Sequence, residues 1–252
     1  MEMYKMTADE ICALNPDLAI IPVGSLEQHG PHLPIMTDWA IATELGRRVA
    51  ERMNAFLLPA FPISTCREHM GKKGSVWMES TTFYKMMYDV IMSLKEQGFK
   101  RVGIIITHGG VFIANPLVRD LNAKFNPDLQ VAFVTPDTVD AASITETKGL
   151  HADESETSQI LAIAPETVRM DKAVDYTPEV PRPYLNYGSI FRAAPDGVWG
   201  YPTKATAEKG EQGKEGEANA PAADAKPDFK ETLKKILAVI KKIATTEIGG
   251  SK

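Results

Sequence analysis

Short apolar runs alternate along the chain with longer segments in which apolar and polar residues recur at helical spacing. Four runs are candidate strands: Leu18–Val23, Ala55–Ala60, Val102–Ile106 and Val131–Val134. Continuous apolar runs of this length are typical of strands that are buried on both faces of a sheet. Strands that alternate with helices predict an α/β fold, with a mostly parallel β-sheet flanked by helices on both faces.

The helices are predicted from apolar residues that recur every three or four positions, which gives each helix one buried side. The first spans Asp38–Asn54, and the second starts at Ser80, a candidate N-cap, and ends at Gly98. A third surrounds Leu117, and a fourth ends before Pro165.

We predict one domain over residues 1–252, because a chain of this size can bury a full core. Residues 210–227 are poor in apolar side chains and rich in Gly, Ala, Glu and Lys, so we expect a mobile surface loop there. Residues 228–245 carry apolar side chains on one side and are predicted to form a C-terminal helix.

Composition excludes several classes of function. The net charge is −5 and no basic cluster is present, which argues against binding to nucleic acid or to anionic membranes. No secretory signal is evident, and no apolar run approaches the roughly 20 residues of a membrane helix. Cys12 and Cys66 form neither a metal-binding spacing nor a disulfide framework. We therefore expect a cytoplasmic protein.

The loop after the first strand combines residue types that bind metals. Glu27 and His29 are two positions apart, so they project from one face of an extended segment, and Asp38 follows at the start of a helix. Two carboxylates and an imidazole suit a divalent metal. A Glu-x-His pair is nevertheless common, and Asp38 could simply be an N-cap.

The positions of the other histidines favour the metal site. The chain has five, of which His108 comes directly after the strand that ends at Ile106. Sites in parallel α/β sheets lie beyond the carboxyl ends of the strands. His108 and the loop that carries Glu27 and His29 both follow such ends, so we expect them to lie together.

A second candidate segment precedes the fourth helix, where His151 is followed by Glu154 and Glu156. Acidic residues in a first helical turn are favoured by the helix dipole in any case. This alternative applies to Glu154 more strongly than to Glu156.

Four ordered motifs carry a family resemblance. They are Gly24–Pro34 with Thr37 and Asp38, then His108–Gly110, then His151 and Ala152 with Glu154 and Glu156–Ser158, and last Gly197–Thr203 with Ala205–Gly210. Over residues 18–214 the chain resembles the creatininase (creatinine amidohydrolase) family. The resemblance implies an α/β enzyme with two metal ions, usually zinc, manganese or iron, that commonly forms hexamers. Activities in this family include opening a cyclic amide, deformylating a pyrimidine nucleotide precursor, trimming a peptide and opening a keto-inositol ring.

The resemblance also implies roles for individual residues. Glu27 and His108 would hold one metal ion, His29 would hold the other, and Asp38 would bridge the two. Such a pair of cations could activate a water molecule for attack on a carbonyl group.

The second metal ion needs one more carboxylate. In creatininase proper it comes from a glutamate two residues past the motif's histidine, where this chain has Gly110. Glu156 is predicted to replace it, with Glu154 as the alternative. His151 is the predicted proton shuttle, and Glu154 is the other candidate catalytic residue.

Substrate contacts are predicted from the loop that contains Arg67 and His69, and from Gly109 and Gly110 after the third strand. His69, like His32, could instead be a partly exposed loop histidine. The loop over residues 67–74 also holds two lysines, and the residues flanking His108 depart from the family pattern. Creatinine itself is therefore a less suitable substrate than a related compound.

Three hypotheses remain. The first is a dinuclear-metal hydrolase, with zinc as the first choice and manganese or iron as alternatives, that cleaves an amide-type C–N bond in a small, polar, cyclic substrate. The second is a metal-dependent hydrolase that opens a cyclic polyol ketone at a C–C bond. The third is a non-catalytic metal- or metabolite-binding protein. In each, we expect a small-molecule ligand and a homo-oligomer, a hexamer by family resemblance.

Overall fold

A computed structural model describes residues 2–134 and 145–211. Its sheet contains four parallel strands in the order β2-β1-β3-β4, with each neighbouring pair joined by backbone hydrogen bonds. The strands are β1 (Leu18–Val23), β2 (Phe56–Leu57), β3 (Arg101–Ile106) and β4 (Gln130–Val134). The predicted parallel α/β fold is confirmed.

Helices cover both faces of this sheet. The described helices are α1 (Ala8–Leu14), α2 (Thr37–Met53), α3 (Ser80–Glu96), α4 (Ala114–Phe125), α5 (Glu154–Ile163) and α6 (Ala207–Glu211). Successive side chains of β1 alternate between two cores, because side chains along a strand point to opposite faces. Ile20 packs in one core with apolar residues of α2 and α5, whereas Ile21 packs in the other with residues of α3 and α4.

Several predicted boundaries change. The second strand is only Phe56–Leu57 instead of Ala55–Ala60, and Pro59 has no N–H to donate to a neighbouring strand. Helix α3 begins at Ser80, but its N-cap is Glu79, so Ser80 is not the cap. Asp38 is likewise not an N-cap: α2 is capped at Met36 and Asp38 lies buried in its first turn.

The predicted loop over residues 210–227 and helix over residues 228–245 lie outside the described residues, apart from residues 210 and 211 at the end of α6. Within the described parts of the chain, none of the helices has the length and apolar character needed to cross a membrane.

Candidate metal centre

The candidate metal centre lies where β1 and β3 end beside the first turn of α2. The loop after β1 passes very close to this helix: a Cβ on Gly24 would lie 2.5 Å from the Cα of Trp39. Only glycine fits such an approach, and the approach brings the loop against Asp38. Thr107, at the end of β3, donates a hydrogen bond from Oγ1 to the Asp38 carbonyl oxygen at 2.8 Å. These contacts set the distance between the loop and the end of β3.

Asp38 faces two histidines with different carboxylate oxygens. Its Oδ2 lies 3.4 Å from His108 Nδ1, and its Oδ1 lies 3.8 Å from His29 Nε2. Ser25 Oγ donates to Oδ2 at 2.7 Å, which fixes the rotation of the carboxylate. The arrangement suits a carboxylate that bridges two cations, one beside each histidine.

Glu27 is fully buried and its carboxylate is surrounded by imidazoles. Oε2 lies 3.1 Å from His108 Nδ1, and Oε1 lies 3.9 Å from His29 Nε2. Neither oxygen has a hydrogen-bond partner among the described residues. A buried carboxylate without partners is unfavourable, so this pair of oxygens fits a metal ligand.

His29 has one nitrogen directed at the cluster and one held by the backbone. Its Nδ1 donates to the Glu27 carbonyl oxygen at 3.2 Å, so in the neutral ring the lone pair is on Nε2. That atom is buried, has no hydrogen-bond partner in the described chain and lies 3.6 Å from Glu156 Oε2. A metal-binding histidine commonly donates its second nitrogen to a backbone carbonyl in this way.

Glu156 reaches the cluster because of the way α5 starts. Asp153 caps this helix, and its Oδ1 accepts hydrogen bonds from the backbone N–H groups of Ser155 and Glu156. Ala152 has a left-handed backbone with φ of 50°, a conformation unusual outside glycine, and its N–H donates to Glu156 Oε2 at 2.6 Å. Through its contact with His29, Glu156 lies beside the other predicted metal ligands.

Three groups of ligand atoms within 4.8 Å of one another occur among the described residues. They are Glu27 with His69 and His108, Glu27 with His29 and His151, and His29 with Asp38 and Glu156. All five predicted metal ligands thus lie in one cluster, and each group includes Glu27 or His29.

Charge and burial compete in this cluster. Burial lowers the pKa of His29, but Glu156 and Asp38 outweigh this effect and raise the pKa to about 10. For His108 the neighbouring carboxylates, Glu27 above all, likewise overcome burial and raise the pKa. Burial raises the pKa of Glu27 to about 7 despite His108. Such opposed shifts are typical of functional sites.

His151 and His69 flank Glu27 on the side of the cavity. His151 Nδ1 and His69 Nε2 lie 3.7 Å and 3.3 Å, respectively, from Glu27 Oε1. Burial lowers the pKa of both imidazoles well below the ordinary value. The alternative that His69 and His32 are partly exposed loop histidines is wrong, since both are buried; His32 instead lies with Nε2 2.9 Å from Thr157 Oγ1.

Glu154 is not brought to the cluster. Its carboxylate accepts hydrogen bonds from Lys209 Nζ at 2.7 Å and from the backbone N–H groups of Glu146 and Thr147. Burial raises the pKa of Glu154, but the bonds from Lys209 and Thr147 outweigh it and lower the pKa. These contacts tie α5 to α6 and to the segment before α5, which is a structural role.

A cavity of about 740 Å³ opens onto the cluster. The predicted contact residues Arg67, His69, Gly109 and Gly110 all line it. Arg67 forms an ion pair with Glu79 at 2.7 Å, and the Gly109 carbonyl oxygen accepts a hydrogen bond from Arg182 Nη2 at 3.1 Å.

Sequence reasoning missed three residues near the candidate metal centre. Glu68 Oε1 lies 3.2 Å from His108 Nε2, Arg182 lines the cavity, and Gln28 contacts both His69 and His151. Gln28 stands inside the first motif, between two candidate ligands, and that position is the one signal that could have identified it.

Solved structures share this fold. A structure from Bacteroides fragilis assigned to the creatinine amidohydrolases matches with a TM-score of 0.76 and 25% identity, covering 99% of this chain and 98% of that chain. A manganese form of creatininase has a TM-score of 0.75 and 23% identity, and a variant creatininase of Zn-Zn type has 0.74 and 22%; each match covers 96% of this chain and 98% of the other.

Sequence comparison identifies relatives of known activity. The chain is 29% identical to 3-dehydro-scyllo-inosose hydrolase of Thermotoga maritima, over 79% of this chain and 73% of that protein. It is 31% identical to the mycofactocin precursor peptide peptidase of Mycobacterium ulcerans, over 83% and 84%. The creatinine amidohydrolase family model matches residues 4–220. As the ordered motifs predicted, the chain belongs to the creatininase family and is a hydrolase.

Proposed function

We propose that this hydrolase holds two divalent metal ions and uses them to hydrolyse an amide-type C–N bond in a small, polar, cyclic substrate. The proposal rests on the position of the Asp38 carboxylate, which has one oxygen beside His108 and the other beside His29. A further carboxylate lies beside each histidine, Glu27 at His108 and Glu156 at His29. Glu27, His108 and Asp38 would hold one ion, and His29, Glu156 and Asp38 the other. Mixed nitrogen and oxygen ligands favour zinc, with manganese or iron as alternatives.

When bound, a pair of divalent ions lowers the pKa of a water molecule and polarises a carbonyl group. His151 supplies the proton transfer. This residue lines the cavity, and its Nδ1 lies 3.7 Å from Glu27 Oε1. A neutral imidazole can take a proton from the attacking water on one ring nitrogen and then give it to the leaving nitrogen.

The cavity sets the class of substrate. Its volume of about 740 Å³ suits a small molecule, and its lining includes charged groups of both signs, among them Arg67, Glu68, Glu79 and Arg182. A polar compound with several hydrogen-bonding groups fits such walls better than an apolar one. Arg67, His69, Gly109 and Gly110 line this cavity and are the proposed substrate-binding residues.

The first experiment measures metal content and activity on one preparation. The purified protein, supplied with zinc or manganese and then dialysed, should retain about two ions per chain by elemental analysis. A panel of cyclic amides and formamides should include a substrate whose hydrolysis stops after chelation and resumes after metal is restored. Well under one ion per chain with either metal would contradict the proposal.

Opening of a cyclic polyol ketone at a C–C bond is the second candidate. It is favoured by the relative from Thermotoga maritima, an inosose hydrolase by name. The same ligand set would serve, because both reactions add water to a carbonyl group. Keto-inositols assayed beside the cyclic amides decide between them: turnover of ketones alone would replace the first proposal, whereas none would remove the second. Membership of a hydrolase family argues against the non-catalytic alternative.

We also propose that the chain forms homo-oligomers, with a hexamer as the expectation. Phe112 and Tyr187 at the cavity rim are 67% and 82% exposed, which suits contact with a second chain. Light scattering should give a mass well above 27.6 kDa. The two cysteines are free, which is consistent with the proposed cytoplasmic location.

A further inference from the structure

The Gln28 side chain is buried and has one determined orientation. Its Oε1 accepts a hydrogen bond from the backbone N–H of Gly30 at 3.0 Å. A backbone N–H can only donate, so the oxygen and nitrogen of this amide cannot be exchanged. The amide nitrogen, which carries two hydrogens, must therefore point the other way.

Those two hydrogens have two acceptors. Gln28 Nε2 lies 3.0 Å from His69 Nδ1 and 3.3 Å from the Gly197 carbonyl oxygen. His69 Nδ1 is thus an acceptor, and the proton of this imidazole is on Nε2. That nitrogen is the one that lies 3.3 Å from Glu27 Oε1.

The backbone carbonyl group of Gln28 determines which nitrogen of His151 carries the proton. Its Nε2 lies 2.7 Å from the Gln28 carbonyl oxygen, which can only accept, so Nε2 carries the proton. The 3.0 Å approach of Gln28 Nε2 to His151 Nε2 then joins two nitrogens that both carry hydrogen, and it is not a hydrogen bond. The lone pair of His151 is on Nδ1, which faces Glu27 Oε1.

Gly197 makes room for this arrangement. Its φ is +74°, and a Cβ built on it would lie 2.1 Å from Gln28 Oε1. The late family motif thus begins with a residue that lets the Gln28 amide fit between two histidines. The ring centroids of His69 and His151 are 4.2 Å apart, so both rings lie on the same side of Glu27.

We propose that Gln28 is a positioning residue that makes His69 a hydrogen-bond donor and His151 a proton acceptor toward the substrate. This inference rests on the proposed function and deepens it. His69 presents N–H to the carbonyl oxygen on which negative charge develops, while His151 presents a lone pair to the attacking water. It follows that His69 does not bind a metal ion, although it forms a ligand-like group with Glu27 and His108.

Nitrogen-15 NMR of histidine-labelled protein tests the assignment directly, since the chain has only five histidines. In both the metal-free and the zinc-loaded protein, His69 and His151 should show a proton on Nε2 and a pyridine-like Nδ1. A pyridine-like or zinc-bound Nε2 on His69 would overturn the proposal. This readout does not depend on turnover, so failure of the hydrolase assignment would be seen separately, in the metal and substrate assays.

The variant Gln28→Met removes the amide with little change in volume, and Gln159→Met, on α5 away from the cluster, is its matched control. We expect Gln28→Met to retain both metal ions, to show a mixture of tautomers at His69 and to lower kcat about 10–100-fold, the usual range for an outer-shell residue. Gln159→Met should match the wild type.

His69→Leu should lower kcat about 10²–10³-fold, as for loss of one oxyanion donor, at full metal content. Loss of a metal ion from folded His69→Leu, or unchanged His69 tautomers and kcat in Gln28→Met, would refute the proposal.

Discussion

Glu68 fills the space in which a side chain at position 110 would begin. A Cβ on Gly110 would lie 2.0 Å from Glu68 Oε1 and 2.4 Å from His108 Nε2. Position 110 is where creatininase proper has a carboxylate ligand, and here a carboxylate from the loop after β2 comes close to it instead. Glu68 Oε1 lies 3.2 Å from His108 Nε2. Glu27 and Asp38 lie beside the other ring nitrogen, Nδ1.

Gly110→Ala should therefore weaken metal binding. The added methyl group must displace the Glu68 carboxylate or rotate His108, and loss of a group that orients a ligand typically lowers metal affinity about 10–100-fold. Competition with a fluorescent chelator gives the affinity without need of a substrate.

Gly188→Ala is the control for that variant. Gly188 lines the same cavity, but the three atoms nearest to its added Cβ all belong to the flexible side chain of Arg192, with Cδ at 3.2 Å. We expect metal affinity close to that of the wild type. Equal metal affinities in both alanine variants would show that the positions of Glu68 and His108 do not depend on glycine at position 110.

Glu156→Gln and Glu154→Gln should separate a ligand from a structural carboxylate two residues away. Glu156→Gln removes a charge beside His29, so one of the two metal ions should be lost. Glu154→Gln should keep both ions, but it weakens the bonds to Lys209 and Thr147 and should lower the free energy of unfolding by about 1.5–3 kcal/mol, the value of hydrogen bonds to charged groups. Elemental analysis and urea unfolding of both variants check the pair; the reverse pattern would assign the second-site ligand to Glu154.

The sequence predicts which residues lie at the carboxyl edge of the sheet, because the ends of parallel strands meet at one edge. Glu27 and His108 could be placed together on that basis alone, since both follow buried strands. Glu154 could not be separated from Glu156 in the same way. Both stand in the first turn of α5, and the difference between them depends on Lys209, a partner 55 residues away.

Distant partners also explain what was missed around His69. A loop histidine with polar neighbours reads as exposed, and only the packed structure brings it against Gln28 and Glu27, about 40 residues earlier. Gln28 itself carries no charge and belongs to no metal-binding pattern, so the sequence does not mark it as a functional residue. Its importance comes from hydrogen bonds to Gly30 and Gly197, which spacing does not reveal.

His32 should make the metal-free protein less stable in mild acid. Burial lowers its pKa to about 4, against an unfolded value near 6.5, so the unfolded chain binds the proton more readily. Its contribution to stability is complete above the unfolded pKa and is lost as the pH falls from about 6.5 toward 4. Between pH 7 and pH 5 the loss should be about 2 kcal/mol.

Urea unfolding at both pH values, with a chelator present, measures this loss. His32→Gln provides the comparison, because Gln has no titrating group in this range while other buried groups titrate equally in both proteins. We compare the change between the two pH values, since the substitution also alters absolute stability. An equal loss in wild type and variant would show that His32 does not titrate in this way.

Asp38 should couple both metal ions to folding. A ligand that binds only the folded state raises the free energy of unfolding by about 2.7 kcal/mol at a hundredfold excess over its Kd. Zinc should therefore raise the unfolding midpoint of the wild-type protein. Asp38→Ala removes the carboxylate that faces both His29 and His108, and should abolish the whole increase. His29→Ala should keep part of it, because Glu27, Asp38 and His108 remain. A full zinc response in Asp38→Ala would show that Asp38 bridges nothing, and the two-ion arrangement would then lose its central support.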